Sequence, residues 1–348
     1  MQRRRFLSAS AALAAAPAVS AAPYVSFGAN RPAKDAPIVG HGDFRYRVHR
    51  DWQQDHTIEV RDCHEMLQAP DGRLFMLTNH TANNVVVYDT SGKVLDTWGT
   101  SYPGAHGLTL TEEGGEAFLL ITDQNRHKVF KTTLDGREVM TLDYPEASGL
   151  YASEDEYKPT ETAVGPDGSI YVADGYGKSY VHRYSPRGRY VSSFGGYGTG
   201  PSQLDCSHGV ALDARTPTPT LLVTSRAKEE FKRYSLDGDL LQVYPTPGMS
   251  ICRPVIKGDY TYFAVIVTDS WFDYDSMIAV FDRDMKLVSA PGSLNEELTY
   301  TDGELDKVES DRMTFFNPHD VCVDRDDNLY IPQWYSGRTY PVKLERVG

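Results

Sequence analysis

Three histidines occupy matching positions in this chain of 348 residues: Ala105-His106-Gly107-Leu108, Ser207-His208-Gly209-Val210 and Asn317-Pro318-His319-Asp320-Val321. Each precedes a short apolar run that ends in an acidic or polar turn. The intervals between them are each about two repeats of roughly 50 residues. Histidines in register on alternate repeats of a closed ring converge on its axis. Three neutral imidazoles with one position left open are the ligand set of a catalytic zinc. A closed structural zinc site normally takes four protein ligands, often cysteines, and no Cys-x-x-Cys spacing occurs here. A single histidine at a channel mouth is usually an ordinary hydrogen-bonded side chain, so the recurrence carries the metal reading. His64, at the start of the first repeat, is either a fourth ligand or a channel-lining group. Asp320 orients His319 from behind, binds a second, harder cation, or is an ordinary turn acid.

The repeats that place these residues are built of strands. Pro70-Asp71-Gly72, Glu113-Gly114-Gly115, Pro166-Asp167-Gly168 and Asp326-Asp327-Asn328 each separate two strand-like runs. A polar loop, a third run, a further turn (Ser91-Gly92, Asp135-Gly136, Asp237-Gly238) and a fourth run follow. Four strands per repeat with regular turns predict an all-β, six-bladed β-propeller. Its blades begin near His64, His106, Thr160, His208, Arg253 and His319, the fifth being the least regular. The sixth lacks an outer strand, which residues 44–49 are expected to supply, hiding the open sheet edges. The propeller then spans 44–348, preceded by an extension over 23–43. Insertions at 144–158, 269–276 and 293–315 are too long for tight turns and are expected to build a functional face.

Bulk properties narrow the partners. The formal net charge of −13 repels nucleic acid and anionic membranes over most of the surface, leaving a small molecule or peptide as the expected partner. Residues 1–22, with Arg3-Arg4-Arg5-Phe6-Leu7 before an alanine-rich run, read as a twin-arginine-type signal peptide, so export is expected. No other stretch reaches the roughly 18 apolar residues a membrane span needs. Cys63, Cys206, Cys252 and Cys322 either pair in an oxidising compartment or pack as buried thiols.

Blade three reads Lys158-Pro159-Thr160-Glu161-Thr162-Ala163-Val164-Gly165-Pro166-Asp167-Gly168-Ser169-Ile170-Tyr171-Val172-Ala173-Asp174-Gly175-Tyr176, and continues to Phe194-Gly195-Gly196-Tyr197-Gly198. With the Asn-Pro-His-Asp stretch, it resembles the NHL-repeat propellers, and among them the peptidyl-α-hydroxyglycine α-amidating lyases. The resemblance implies a zinc on His106, His208 and His319. It implies a calcium near the axis with Asp320 and the Leu108 carbonyl as ligands, a catalytic tyrosine at Tyr176 and a functional arginine at Arg226. The reaction it implies cleaves a carbinolamide into an amide and glyoxylate. The chain departs from that pattern at three places. The family's blade-one arginine, which takes the substrate carboxylate, has no match in Thr78-Asn79-His80-Thr81. Asn317 stands where a methionine is expected, and Gly177 where a disulfide cysteine is expected. Carboxylate binding then falls to Arg253, on the ring itself, with His64 and His80 as further substrate contacts. Two other readings of the same fold are a non-catalytic propeller that binds protein or glycan through Trp271-Phe272-Asp273-Tyr274-Asp275, and a metal-dependent hydrolase such as a lactonase.

Overall fold

Every blade stands on the same local logic: short β-branched and aromatic runs, apolar on both faces, separated by turns that glycine closes. The computed structural model describes residues 36–312, 314–334 and 340–347. The signal-peptide reading and the first part of the extension lie outside the described residues. Six antiparallel sheets are arranged as a six-bladed β-propeller. In the first blade Cys63–Gln68, Leu74–Thr78, Val85–Tyr88 and Val94–Trp98 pair in chain order from the axis outward. Val85–Tyr88 is buried throughout, whereas Val94–Trp98 is half exposed. Middle strands therefore read as continuous apolar runs and outer strands as mixed polar and apolar ones.

The core lies between blades. Phe75, Leu77 and Val85 of blade one pack with Leu119, Ile121 and Phe130 of blade two. Ala264, Ile278 and Val280 of blade five pack with Val321, Leu329 and Val342 of blade six. Blade six is closed by the N-terminal segment. Phe44–His49 pairs antiparallel with Val342–Arg346, in register Tyr46↔Arg346 and Val48↔Leu344, and Ile38–His41 adds a fifth strand outside it. Tyr46 and Val48 are buried there, so the two ends of the propeller share one sheet.

Blade five departs from the pattern. Its innermost strand is broken into Ser250–Ile251 and Val255–Lys257, both pairing Tyr260–Val267, with a register shift between Ser250 and Ile251. The insertions at 269–276 and 293–315 are joined by a bridge at Asp275↔Arg312, and Ser293↔Ser310 closes the second one on itself. They leave Trp271 and Phe272 exposed, at 42% and 77%. The insertion at 144–158 packs Tyr151 and Tyr157 onto blade three around His182. Among the described residues no helix is long and apolar enough to cross a membrane.

Candidate metal centre

The innermost strands bulge where the histidines sit. Register shifts between Cys63 and Glu65 and between Ala105 and Leu108 turn His64 and His106 out of the ladder toward the axis. The glycines after His106 and His208 are required by the neighbouring blade. A Cβ on Gly107 would lie 2.5 Å from the Thr160 carbonyl oxygen, and one on Gly209 would lie 2.3 Å from the Arg253 Cα. His64, His106, His208 and His319 are all buried. Ring centroids of His106, His208 and His319 are 4.7–4.8 Å apart, and His64 lies 4.8 Å from both His106 and His319. The structure thus brings together the three histidines expected from the sequence, and makes His64 a full member of the cluster.

Their hydrogen bonds leave nitrogen lone pairs aimed inward. His106 Nδ1–H donates to the Thr160 carbonyl at 2.8 Å, and His319 Nδ1–H to the His64 carbonyl at 3.1 Å. Each is thereby held as the tautomer whose Nε2 is an acceptor. His319 Nε2, His208 Nδ1 and both ring nitrogens of His64 are buried with no hydrogen-bond partner. Orphaned buried nitrogens of this kind are costly unless something else satisfies them. Burial pushes all four imidazoles below their usual range, with Arg226 adding to the effect, and His64 falls to about 4. They are neutral at pH 7, the form that binds a metal. Potential ligand atoms of His64, His106 and His319 lie within 4.8 Å of one another, and so do those of His208, Cys252 and His319. Imidazoles with one thiol fit zinc or a neighbouring first-row ion.

Tyr176 closes the cluster from outside. Its hydroxyl lies 3.2 Å from His106 Nε2, 3.1 Å from His208 Nε2 and 3.5 Å from Arg226 Nη1. Arg226 is buried, donating from Nε to the Ile251 carbonyl and from Nη2 to Cys252 Sγ. Desolvation of its hydroxyl against the cluster pushes the Tyr176 phenol up to about 12, with Arg226 pulling against it, although the residue is 38% exposed. The loop is held by Asp174, whose buried carboxylate accepts from the amides of Lys158 at 2.7 Å and Lys178 at 2.6 Å, and from the Tyr151 hydroxyl at 2.6 Å. Burial raises Asp174 from 3.8 to about 6, with those hydrogen bonds lowering it. The folded chain therefore binds this proton more tightly than the unfolded chain does. The stability it contributes is complete below about pH 4 and is lost as pH rises through about 6. Asp174→Asn should flatten that part of the stability curve, read by urea unfolding between pH 4 and 7.

Four of the expected site residues have partners other than those the sequence suggests. Arg253 does not belong to the histidine tier, and Cys252 takes its place there. The Arg253 side chain lies one step deeper along the channel, where Asp320 grips it through Nε and Nη2, both at 2.8 Å. It is thus engaged by protein acids. Asp320 binds Arg253 and the Met66 amide, and the His319 ring nitrogen it was expected to support is held by the His64 carbonyl. The Leu108 carbonyl accepts from Arg253 Nη1 at 2.9 Å, so the donors expected to hold calcium are hydrogen-bonded to a guanidinium. His80 stands apart, its Nδ1 accepting from the Ala82 amide and its Nε2 4.0 Å from Glu59. Cys252 was missed, although the signal is present. His64-Glu65, Thr160-Glu161, Cys252-Arg253 and His319-Asp320 share one pattern, a site residue followed by a charged one. Cys206, Cys252 and Cys322 are free thiols, and Cys63 is buried in the core of blade one.

Comparison with known proteins gives a consistent picture. The chain is 23% identical over 270 residues to a probable peptidyl-alpha-hydroxyglycine alpha-amidating lyase of Caenorhabditis elegans, covering 75% of this chain and 70% of that protein. It is 29% identical over 154 residues to peptidyl-alpha-hydroxyglycine alpha-amidating lyase 1 of Drosophila melanogaster, covering 43% of this chain and 26% of the relative. It matches only 13% of the length of the rat (Rattus norvegicus) peptidylglycine alpha-amidating monooxygenase. Among solved structures, a gluconolactonase from Xanthomonas campestris superposes with a TM-score of 0.61 at 15% identity, covering 92% of this chain and 98% of that one. A streptogramin B lyase superposes with a TM-score of 0.58 at 14% identity, covering 86% and 97%. No family model matches.

Proposed function

We propose, from the sequence likeness to the amidating lyases, that this chain is a metal-dependent lyase that cleaves the C–N bond of a carbinolamide to release an amide and glyoxylate. The observation that carries the reading is the Tyr176 hydroxyl, held between His106 Nε2 and His208 Nε2 with Arg226 behind it. His106, His208 and His319 would hold the ion, and the free nitrogens of His64 and Sγ of Cys252 stand beside it. A zinc ion bound there supplies acidity to a hydroxyl in contact with it.

The chain's own residues supply the rest. Neutral imidazoles leave Tyr176 as the group that accepts the substrate hydroxyl proton at Oη. Arg226, 3.5 Å away, stabilises the phenolate that must exist before it can do so. As the hydroxyl loses its proton the C–N electron pair passes to the departing nitrogen. Tyr176 returns the proton to that nitrogen, so amide and aldehyde form with no net change in protons. With Arg253 held by acids, Arg226 is the guanidinium that faces the substrate side. Trp271, in edge-on contact with Trp334 and held through its carbonyl by Asn317, presents with Phe272 an apolar rim for the substrate's remaining portion.

The basic N-terminal segment supports export, which cell fractionation reads. The reaction is tested by metal analysis of the purified protein and by glyoxylate release from α-hydroxyhippurate. About one zinc per chain together with glyoxylate release is expected. Bound metal without glyoxylate release would leave the site and remove the reaction.

A further inference from the structure

One residue deeper than the histidines, the channel carries a second tier: Glu65, Glu161, Arg253 and Asp320, with the carbonyls of Met66 and Leu108. The three acids are buried, their side chains 1%, 1% and 0% exposed. Arg253 reaches all of them. Nε bonds Asp320 Oδ1 and Nη2 bonds Asp320 Oδ2, both at 2.8 Å, a two-pronged pairing. Nη2 also donates to the Met66 carbonyl at 3.2 Å. Nη1 donates to the Leu108 carbonyl at 2.9 Å and lies 3.1 Å from Glu65 and 3.4 Å from Glu161. A guanidinium has five N–H donors, and these acceptors use the whole fork. The contacts come from blades one, two, three and six, so one side chain of blade five ties nearly the whole ring together. On its far side Arg253 lines a cavity of about 590 Å³ with Thr109, Thr162, Val210 and Ile256, so it separates the histidine tier from the rest of the channel.

Buried acids and backbone carbonyls converging on one point are what a hard divalent cation takes as ligands. We propose that Arg253 is a resident cation that stands in for a divalent ion at the propeller axis, so that this ring is held together without calcium. Two features fit this assignment. The carboxylates and carbonyls that would ligate the ion are already hydrogen-bonded to the guanidinium. Moreover, Gly209 lets the Arg253 backbone approach closer than any side chain would allow. The inference is independent of the lyase reading, since neither the histidines nor substrate enter it.

Calcium content and thermal melting decide it. The wild-type protein, dialysed into calcium-free buffer, should carry no stoichiometric calcium and show no shift in Tm when calcium is added. Arg253→Ala removes the guanidinium that pairs with three buried acids, leaving their charges uncompensated. Its Tm should drop by about 10 °C and recover as calcium is titrated in. Wild-type protein holding about one calcium per chain, with a Tm that falls on dialysis, overturns the proposal. So does an Arg253→Ala variant whose Tm ignores calcium. Should that variant not accumulate, the wild-type measurements still decide. Arg253→Lys, which keeps the charge but not the fork, should then melt below the wild type without gaining from calcium.

Discussion

Replacing His319 with alanine is expected to abolish metal binding, whichever of the neighbouring donors completes the site. His319 belongs to both close groups, with His64 and His106 on one side and with His208 and Cys252 on the other. Its Nε2 is buried with no partner, and its ring is held by the His64 carbonyl, so the lone pair is already aimed. Removing a group that merely orients a ligand typically costs about 10–100-fold in metal affinity. Losing the ligand itself should exceed that, taking bound zinc from about one per chain to background. His64→Ala separates the roles further, because His64 is close to His106 and His319 while Tyr176 sits over His106 and His208. Metal retention in His64→Ala, beside loss in His319→Ala, fixes the tripod at His106, His208 and His319. Titration calorimetry and elemental analysis read both variants. A His319→Ala protein with unchanged zinc would remove the metal centre altogether.

Tyr176→Phe carries the second large effect. General acid–base catalysis by one positioned side chain contributes about 10²–10⁴-fold. Glyoxylate formation should fall by that amount while zinc content stays the same, since the hydroxyl is not one of the imidazole donors. The pH profile gives a readout that a structural role would not move. The base acts when deprotonated, so the rate rises with pH through its pKa. Desolvation of the hydroxyl raises that value to about 12 with Arg226 opposing it, and a cation at the histidines would lower it. The wild-type profile should therefore show a rising limb below 12 that is missing in Tyr176→Phe. A limb that survives the substitution would assign the base elsewhere.

Much of this architecture is written in the sequence because it is local. Turn residues at regular intervals and continuous apolar runs between them specify four-stranded blades. A closed ring then forces in-register residues onto one axis, so His106, His208 and His319 group together from sequence alone. The Asp174-Gly175-Tyr176 turn was legible for the same reason, its short segment being specified by neighbours in sequence. Blade five was not. Its innermost strand is broken and shifted between Ser250 and Ile251, and in a strand a one-residue slip exchanges what faces the axis with what faces away. Such a slip decides whether Arg253 or Cys252 meets the histidines, and only the pairing with Tyr260–Val267 and the close approach of Gly209 settle it. The acid tier was equally hidden. Glu65, Glu161 and Asp320 lie far apart in sequence, and each alone reads as an ordinary strand or turn acid. Their convergence on one guanidinium exists only when five blades meet, because burial without water makes every unpaired charge expensive and leaves Arg253 as the group that answers them.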